Sequence, residues 1–417
     1  MSYPDPEIVK SDGLLRLKWE EERERASCPD LLCFGTADMD YRSPEPVLAS
    51  LKSVLERGHL GYPKIPDLYY ETIHNWLLHI AGWNVDTRCC VLQNSGVYVL
   101  AWGALQLLTK PGDAVVILTP VHSVFKELLT LNNRKTLECP LMLKNGFYEI
   151  DFSFLEGCLA SGAKVLWLCN PHNPVGRAWT REELKKIADL CLRYQVTILS
   201  DDVYCGLTYA GKPYTPIASL SQEISYHTIT FYSTSKTYNT TALRHAFMVS
   251  ENPELTKRYS ELLTSMGVSY GQNLMGLEAT IAAFRECEPW RIRLMEQIAA
   301  NHRFLKAAFE KNMPECKVLQ AEATYFAWID LRALDIRPAQ LTYLLEQETQ
   351  IVVENGFRLG KGGAGFIRFN LATSQENLQE GTKRLIAFAS VIVNIKSYGF
   401  RLGAKTGRRT NYMKYEF

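Results

Sequence analysis

The chain has 417 residues, 47% of them apolar, with 46 Lys and Arg against 45 Asp and Glu. That length exceeds one small core and suffices for two domains, and the composition is that of an ordinary globular protein, not a fibrous or disordered one. A formal net charge of +1 gives no global field to favour nucleic acid, and no apolar run is long enough to cross a membrane.

In chain order, the opening Met-Ser-Tyr-Pro-Asp-Pro-Glu lacks the basic and apolar regions of a secretory signal, and the first forty or so residues read as irregular. From about residue 90 to 250, short apolar runs alternate with amphipathic stretches. Ala114–Leu118, Lys164–Leu168, Val196–Leu199 and Thr228–Tyr232 are predicted buried strands. Val97–Leu108, Ser123–Leu131 and Arg181–Tyr194 are predicted helices, the last opened by a capping box of Thr180 and Glu183. Such alternation implies α/β architecture with a mostly parallel sheet.

After Asn252-Pro253 the pattern changes. Pro253–Met266, Leu274–Phe284 and Pro289–Lys311 read as helices. Strand-like segments follow at Tyr325–Leu331, Ile351–Val353 and Phe366–Asn370, then a helix near Gln375–Phe388. This is the pattern of a smaller α+β domain. The expected division is an N-terminal arm over 1–45, a large domain over 46–285, a small domain over 286–395 and a basic tail over 396–417. The tail carries Lys396, Arg401, Lys405, Arg408, Arg409 and Lys414 and reads as a solvated end. Eleven cysteines with no Cys-x-x-Cys pair suggest reduced thiols in a cytoplasmic protein. The histidines show no metal spacing, so no metal is expected.

Four polar clusters fall at predicted strand ends, where open α/β sheets gather ligand groups. In Gln93-Asn94-Ser95-Gly96-Val97 a small-residue turn opens a helix, whose free N–H groups and dipole suit an anion. Asn170-Pro-His-Asn173-Pro-Val-Gly-Arg177 is a turn in which the Asn173 amide is a candidate donor. Ser200-Asp201-Asp202-Val203-Tyr204 carries a buried aspartate that needs a partner; by itself it reads as a strand-terminal cap. Ser233-Thr-Ser235-Lys236-Thr-Tyr-Asn239, with Arg244 further on, combines hydroxyls and a guanidinium able to clamp a phosphate. A lysine beside such a clamp suits a phosphorylated aldehyde: its amine condenses with the aldehyde and later serves as a base.

In order and separation, these clusters resemble the fold-type I enzymes of pyridoxal 5′-phosphate (PLP), the aspartate aminotransferase superfamily. Ala37-Asp-Met-Asp-Tyr41, Gly61-Tyr62, Cys169–Arg177, Ala323–Asp330 and Phe366–Ala372 are further similar to the MalY/PatB group of cystathionine β-lyases, over roughly residues 10 to 390. The resemblance implies a large domain with a mostly parallel seven-stranded sheet flanked by helices, plus the smaller α+β domain. It implies PLP on Lys236, with Asp201 on the ring nitrogen, Asn173 and Tyr204 at the phenolic oxygen and His122 stacked on the ring. The phosphate would meet Ser95, Gly96, Val97, Ser233, Ser235 and Arg244. Tyr62 of the partner subunit would complete it, so the active unit would be a homodimer. Arg368, with Asn173 and Ala37, would bind the substrate carboxylate.

Three positions depart from that group. His122 stands where a tyrosine is usual, and an imidazole titrates near neutral pH in water. Tyr204 replaces a common histidine and is closer to the aminotransferase pattern. Ala246 stands where a small residue or glycine is common. The implied reaction is α,β-elimination: Lys236 removes the α-proton of a cysteine thioether such as cystathionine, giving thiol, pyruvate and ammonia. An aminotransferase shares the same binding residues and is the alternative, with a specialised biosynthetic eliminase or cyclase as a third reading. Retention of the lysine and phosphate ligands argues against a purely binding role.

Overall fold

The computed structural model describes residues 6–9, 13–93, 96–268 and 272–397. Ser95 and the tail beyond Ser397 lie outside the described residues. The seven-stranded sheet runs in the order Cys90–Gln93, Ala246–Val249, Thr228–Tyr232, Thr197–Asp201, Val165–Cys169, Ala114–Thr119, Lys135–Pro140. Ala246–Val249 is antiparallel to both its neighbours; the other pairings are parallel.

Side chains alternate across this sheet, as the two-residue period of a strand requires. Leu166, Leu168 and Ile198 pack with Leu184 and Ile187 on one face. Val165, Trp167 and Leu199 pack with Leu100, Leu105 and Tyr259 on the other. Helices cover both faces, which explains why the parallel strands read as continuous apolar runs. Helix Arg181–Arg193 opens on the expected capping box, Thr180 and Glu183 satisfying each other's backbone N–H groups.

The register decides where chemistry gathers. Cys169 lies opposite Asp201, and Asp201 opposite Phe231. The residues just beyond these strands, Asn170, Asp202 and Ser233, therefore lie along one rim.

A second, antiparallel sheet runs Lys317–Val318, Phe326–Asp330, Phe366–Asn370, Glu354–Asn355. Ile351–Val352 pairs instead with Leu32–Cys33, in parallel. This ties the N-terminal segment to the second sheet, and Phe34 stacks on Phe369 at 4.0 Å. The N-terminal segment is more ordered than its sequence suggests. Leu17–Glu21 forms a π-helical turn and Glu22–Ala26 an α-helix. The cause is a long-range charge cluster: Arg16 reaches Asp38 and Asp40 at 2.8 Å, Lys18 lies 3.0 Å from Asp40, and Trp19 Nε1 donates to Asp40 at 2.7 Å. The last helix extends through Ser397, past Phe388, because Ala389 and Ile392 continue its buried face.

The two sheets are bridged near the site by a buried ion pair. Arg177 Nε donates to Glu322 at 2.8 Å and Nη2 to Glu183 at 2.8 Å, while Lys212 lies 2.8 Å from the other Glu322 oxygen. Breaking a buried pair costs about 3–5 kcal/mol. Arg177→Met is expected at the lower end, about 3 kcal/mol, because Lys212 remains. Urea denaturation followed by tryptophan fluorescence checks this.

Candidate active site

The lysine turn is rigid. Ser233 Oγ donates to His245 O at 2.7 Å and accepts from Ser235 N at 3.1 Å. The Thr234 and Thr240 hydroxyls pair at 2.8 Å, and Asn239 Nδ2 donates to Tyr41 O at 2.7 Å. From this turn Lys236 Nζ reaches Ala37 O at 2.9 Å. Burial pushes the amine down to about 8; Arg368 pushes the same way, and Asp38 and Asp201 oppose. The hydroxyl of Ser233 thus helps to hold the turn.

Asp201 ends its strand, and among the described residues its carboxylate accepts one weak hydrogen bond, from Val203 N at 3.4 Å. Burial raises its carboxyl to about 7, against the Val203 N–H and the Lys236 charge. Asp202 is satisfied instead, by the hydroxyls of Ser200 and Tyr214, and Tyr214 pairs with Tyr232 at 2.9 Å. The two adjacent carboxyls have separate roles: one is braced by hydroxyls, the other lacks a strong partner.

Arg368 is 1% exposed. Its Nη1 donates to Asn173 Oδ1 at 3.0 Å and its Nη2 to Gly35 O at 2.7 Å. It lies 4.2 Å from the Phe326 ring centroid, and its buried Nε has no hydrogen-bond partner among the described residues. An orphaned guanidinium N–H is costly unless a ligand accepts from it. Because Asn173 Oδ1 faces Arg368, its Nδ2 faces Tyr204 OH, at 3.4 Å. Next to this cluster Thr324 adopts φ +70°, a strained conformation for a β-branched residue.

Gly96 has φ +84° and caps helix Val97–Leu108. A Cβ there would lie 3.9 Å from Arg244 Nε, so the guanidinium stands beside the helix N-terminus. Together they make an anion cradle. Ser235 sits half-buried on the lysine turn. Tyr62 is 89% exposed and is not gathered with these residues.

His122 differs from its expected behaviour. Its Nδ1 accepts from Val124 N at 3.4 Å and caps helix Ser123–Leu131. Burial, then Arg368, Lys236 and Arg358, push its pKa down to about 3. The ring is therefore neutral, with its proton on Nε2, and does not titrate near neutral pH. Tyr98 stacks near it, with centroids 6.3 Å apart. Sequence reasoning missed Tyr98, although an aromatic in the first turn of a helix opened by an anion-binding glycine was a readable signal. It also missed the Tyr214 and Tyr232 support of Asp202 and the Gly35 carbonyl; these depend on contacts between distant segments and leave no local mark.

The cluster has the donors that PLP requires. An anion cradle lies on the same rim as an under-partnered buried carboxylate and a low-pKa amine that feel each other's charge, beside a buried arginine with an unpartnered N–H. A phosphate, a protonated ring nitrogen, an aldehyde and an amino-acid carboxylate match these four groups in turn.

The comparisons agree with this chemistry. The sequence model of the aminotransferase class I and II family matches residues 38–385, and the chain belongs to that family. Cystathionine beta-lyase PatB of Bacillus subtilis (strain 168) is 33% identical over 379 residues, covering 91% of this chain and 97% of that protein. The crystal structure of cystalysin from Treponema denticola, which contains PLP, superposes with a TM-score of 0.89 at 31% identity, over 94% of this chain and 100% of the other. A PLP-bound putative aminotransferase from Clostridium difficile 630 gives a TM-score of 0.89 at 33% identity, over 93% and 100%.

Proposed function

We propose that the chain is a PLP-dependent carbon–sulfur β-lyase acting on a cysteine thioether such as cystathionine. The observation that carries this is the convergence of Lys236, Asp201 and Arg368 within reach of each other's charge, in a chain with a cystathionine β-lyase as a 33% identical relative. PLP, when bound, supplies an aldehyde for amino groups and a ring that withdraws electrons from the α-carbon.

The chain's own residues do the rest. Lys236 would hold the aldehyde, and its Nζ, of depressed pKa, would serve as the base for the α-proton. Asp201 would pair with the protonated ring nitrogen. Arg368, held by Asn173 and Gly35, fixes the α-carboxylate. Gly96, Val97, Arg244, Ser235, Ser233 and Ser95 would hold the phosphate, His122 would pack on the ring, and Asn173 and Tyr204 would serve its phenolic oxygen. We also propose a homodimer in which the exposed Tyr62 completes the phosphate site of the partner subunit. A cytoplasmic location and the two-domain division at about residue 285 belong to the same reading.

The test is to supply cystathionine to the PLP-loaded protein and follow thiol and pyruvate, beside a reaction with an amino donor and a 2-oxo acid. Release of both products is expected. Tyr204 and the similarity to a putative aminotransferase favour amino transfer as the second reading, and amino exchange without thiol would establish it.

Cofactor uptake should depend on pH. Only the neutral amine attacks an aldehyde, and the neutral form grows as pH rises through the pKa. The rate at which apoprotein takes up PLP is expected to rise with pH to a midpoint near 8, matching the depressed Lys236. A stopped-flow midpoint near the ordinary lysine value of 10.5 would contradict this.

A further inference from the structure

A second arginine, the exposed Arg358, lies close enough to His122 for its charge to act on that ring. Val121 N donates to Leu359 O at 2.9 Å, so their chain neighbours His122 and Arg358 are brought together. The rest of the loop is laid along Thr119–His122. Glu138 Oε2 accepts from Lys361 N at 2.7 Å. A Cβ on Gly360 would lie 2.9 Å from Glu138 Oε2 and from Thr119 Cγ2, and one on Gly362 would lie 3.5 Å from Pro120 Cδ. At the other end Asn355 caps the turn, its Oδ1 accepting from Phe357 N at 3.0 Å. The loop is therefore a fixed platform.

On it, Arg358 is exposed and forms no ion pair or hydrogen bond among the described residues. The acid that anchors the loop, Glu138, is taken by Lys126 at 2.8 Å and by the Lys361 amide. The charge of Arg358 nevertheless reaches into the site, where it acts on His122. A fixed loop that presents an unpaired guanidinium beside a substrate cleft is suited to an anionic group. Arg368, buried and carrying the open Nε, takes the α-carboxylate. The substrate's far end is left to the rim.

We infer that Arg358 recognises a carboxylate on the leaving-group end of the substrate, so that thiols bearing an acid are preferred over neutral ones. This rests on the C–S lyase reading for the identity of the bond broken, but not for the binding preference.

The probes are S-(2-carboxyethyl)-L-cysteine and S-propyl-L-cysteine, which differ only in the terminal group. For the PLP-loaded protein, kcat/KM is expected to favour the acid about tenfold, chiefly through KM, and Arg358→Gln to bring the ratio toward one. Arg358→Lys, which keeps the charge but not the fork, should retain part of the preference. Calorimetry with L-2-aminopimelate and L-2-aminoheptanoate, which lack a leaving group, should give the same ratio of dissociation constants. A wild-type ratio near one, or a ratio that survives Arg358→Gln, overturns the inference. If neither thioether releases thiol, the lyase reading falls, and the calorimetric ratio still decides the role of Arg358.

Discussion

Lys236→Ala is expected to lower thiol release by about four orders of magnitude while the protein stays folded. Two contributions are lost together. The amine that holds the aldehyde is gone, and so is the base that moves the α-proton; positioned proton transfer alone is worth about 10²–10⁴-fold. The fold should not follow. Among the described residues the Nζ makes one hydrogen bond, to Ala37 O, whereas the turn is held by Ser233, Thr234 and Asn239. Steady-state kinetics with a fluorescence melt separates the two effects. A variant with a tenth of the original activity would remove Lys236 from the chemistry.

Arg368→Lys should lower kcat/KM by about 10²–10³-fold, equivalent to about 3–4 kcal/mol. Charge is kept, so the loss isolates geometry. Arginine divides its donors: Nη1 to Asn173, Nη2 to Gly35, and a buried Nε that has no partner among the described residues. A lysine ammonium is a point charge and cannot hold both anchors while presenting a further N–H. Asn173 would lose the contact that fixes its orientation, so its amide would no longer face Tyr204 reliably. The defect should appear mainly in KM if the carboxylate is bound equally before and during reaction.

Much of the scaffold was legible in the sequence because buried parallel strands and amphipathic helices leave strong periodic marks. Thr228–Tyr232, Val97–Leu108, Ser123–Leu131 and Phe366–Asn370 carry such marks and form over those spans. Elements placed by distant partners were not legible. Ala246–Val249 is antiparallel in a mostly parallel sheet, and helices Glu45–Glu56 and Asp67–Ala81 are packed against helix Leu274–Glu286 from far along the chain. Their burial is decided by partners distant in sequence.

At the site, strand-end residues were readable because the sheet rim gathers them. What was not readable was state. His122 was expected to titrate near neutrality; a depressed pKa and a cap on Val124 make it a neutral ring. Ser233 was expected to face phosphate, and its hydroxyl also donates to His245 O and accepts from Ser235 N. Both outcomes follow from hydrogen-bond partners that pattern alone does not reveal.

The most direct test of Lys236 as the PLP anchor is chemical. The protein is loaded with PLP, reduced with borohydride, digested and mapped by mass spectrometry. The expected result is one reduced pyridoxal phosphate on the peptide containing Lys236, with the visible band lost on reduction and absent from Lys236→Ala. A label on a different lysine, or no label with the band intact, would contradict the assignment.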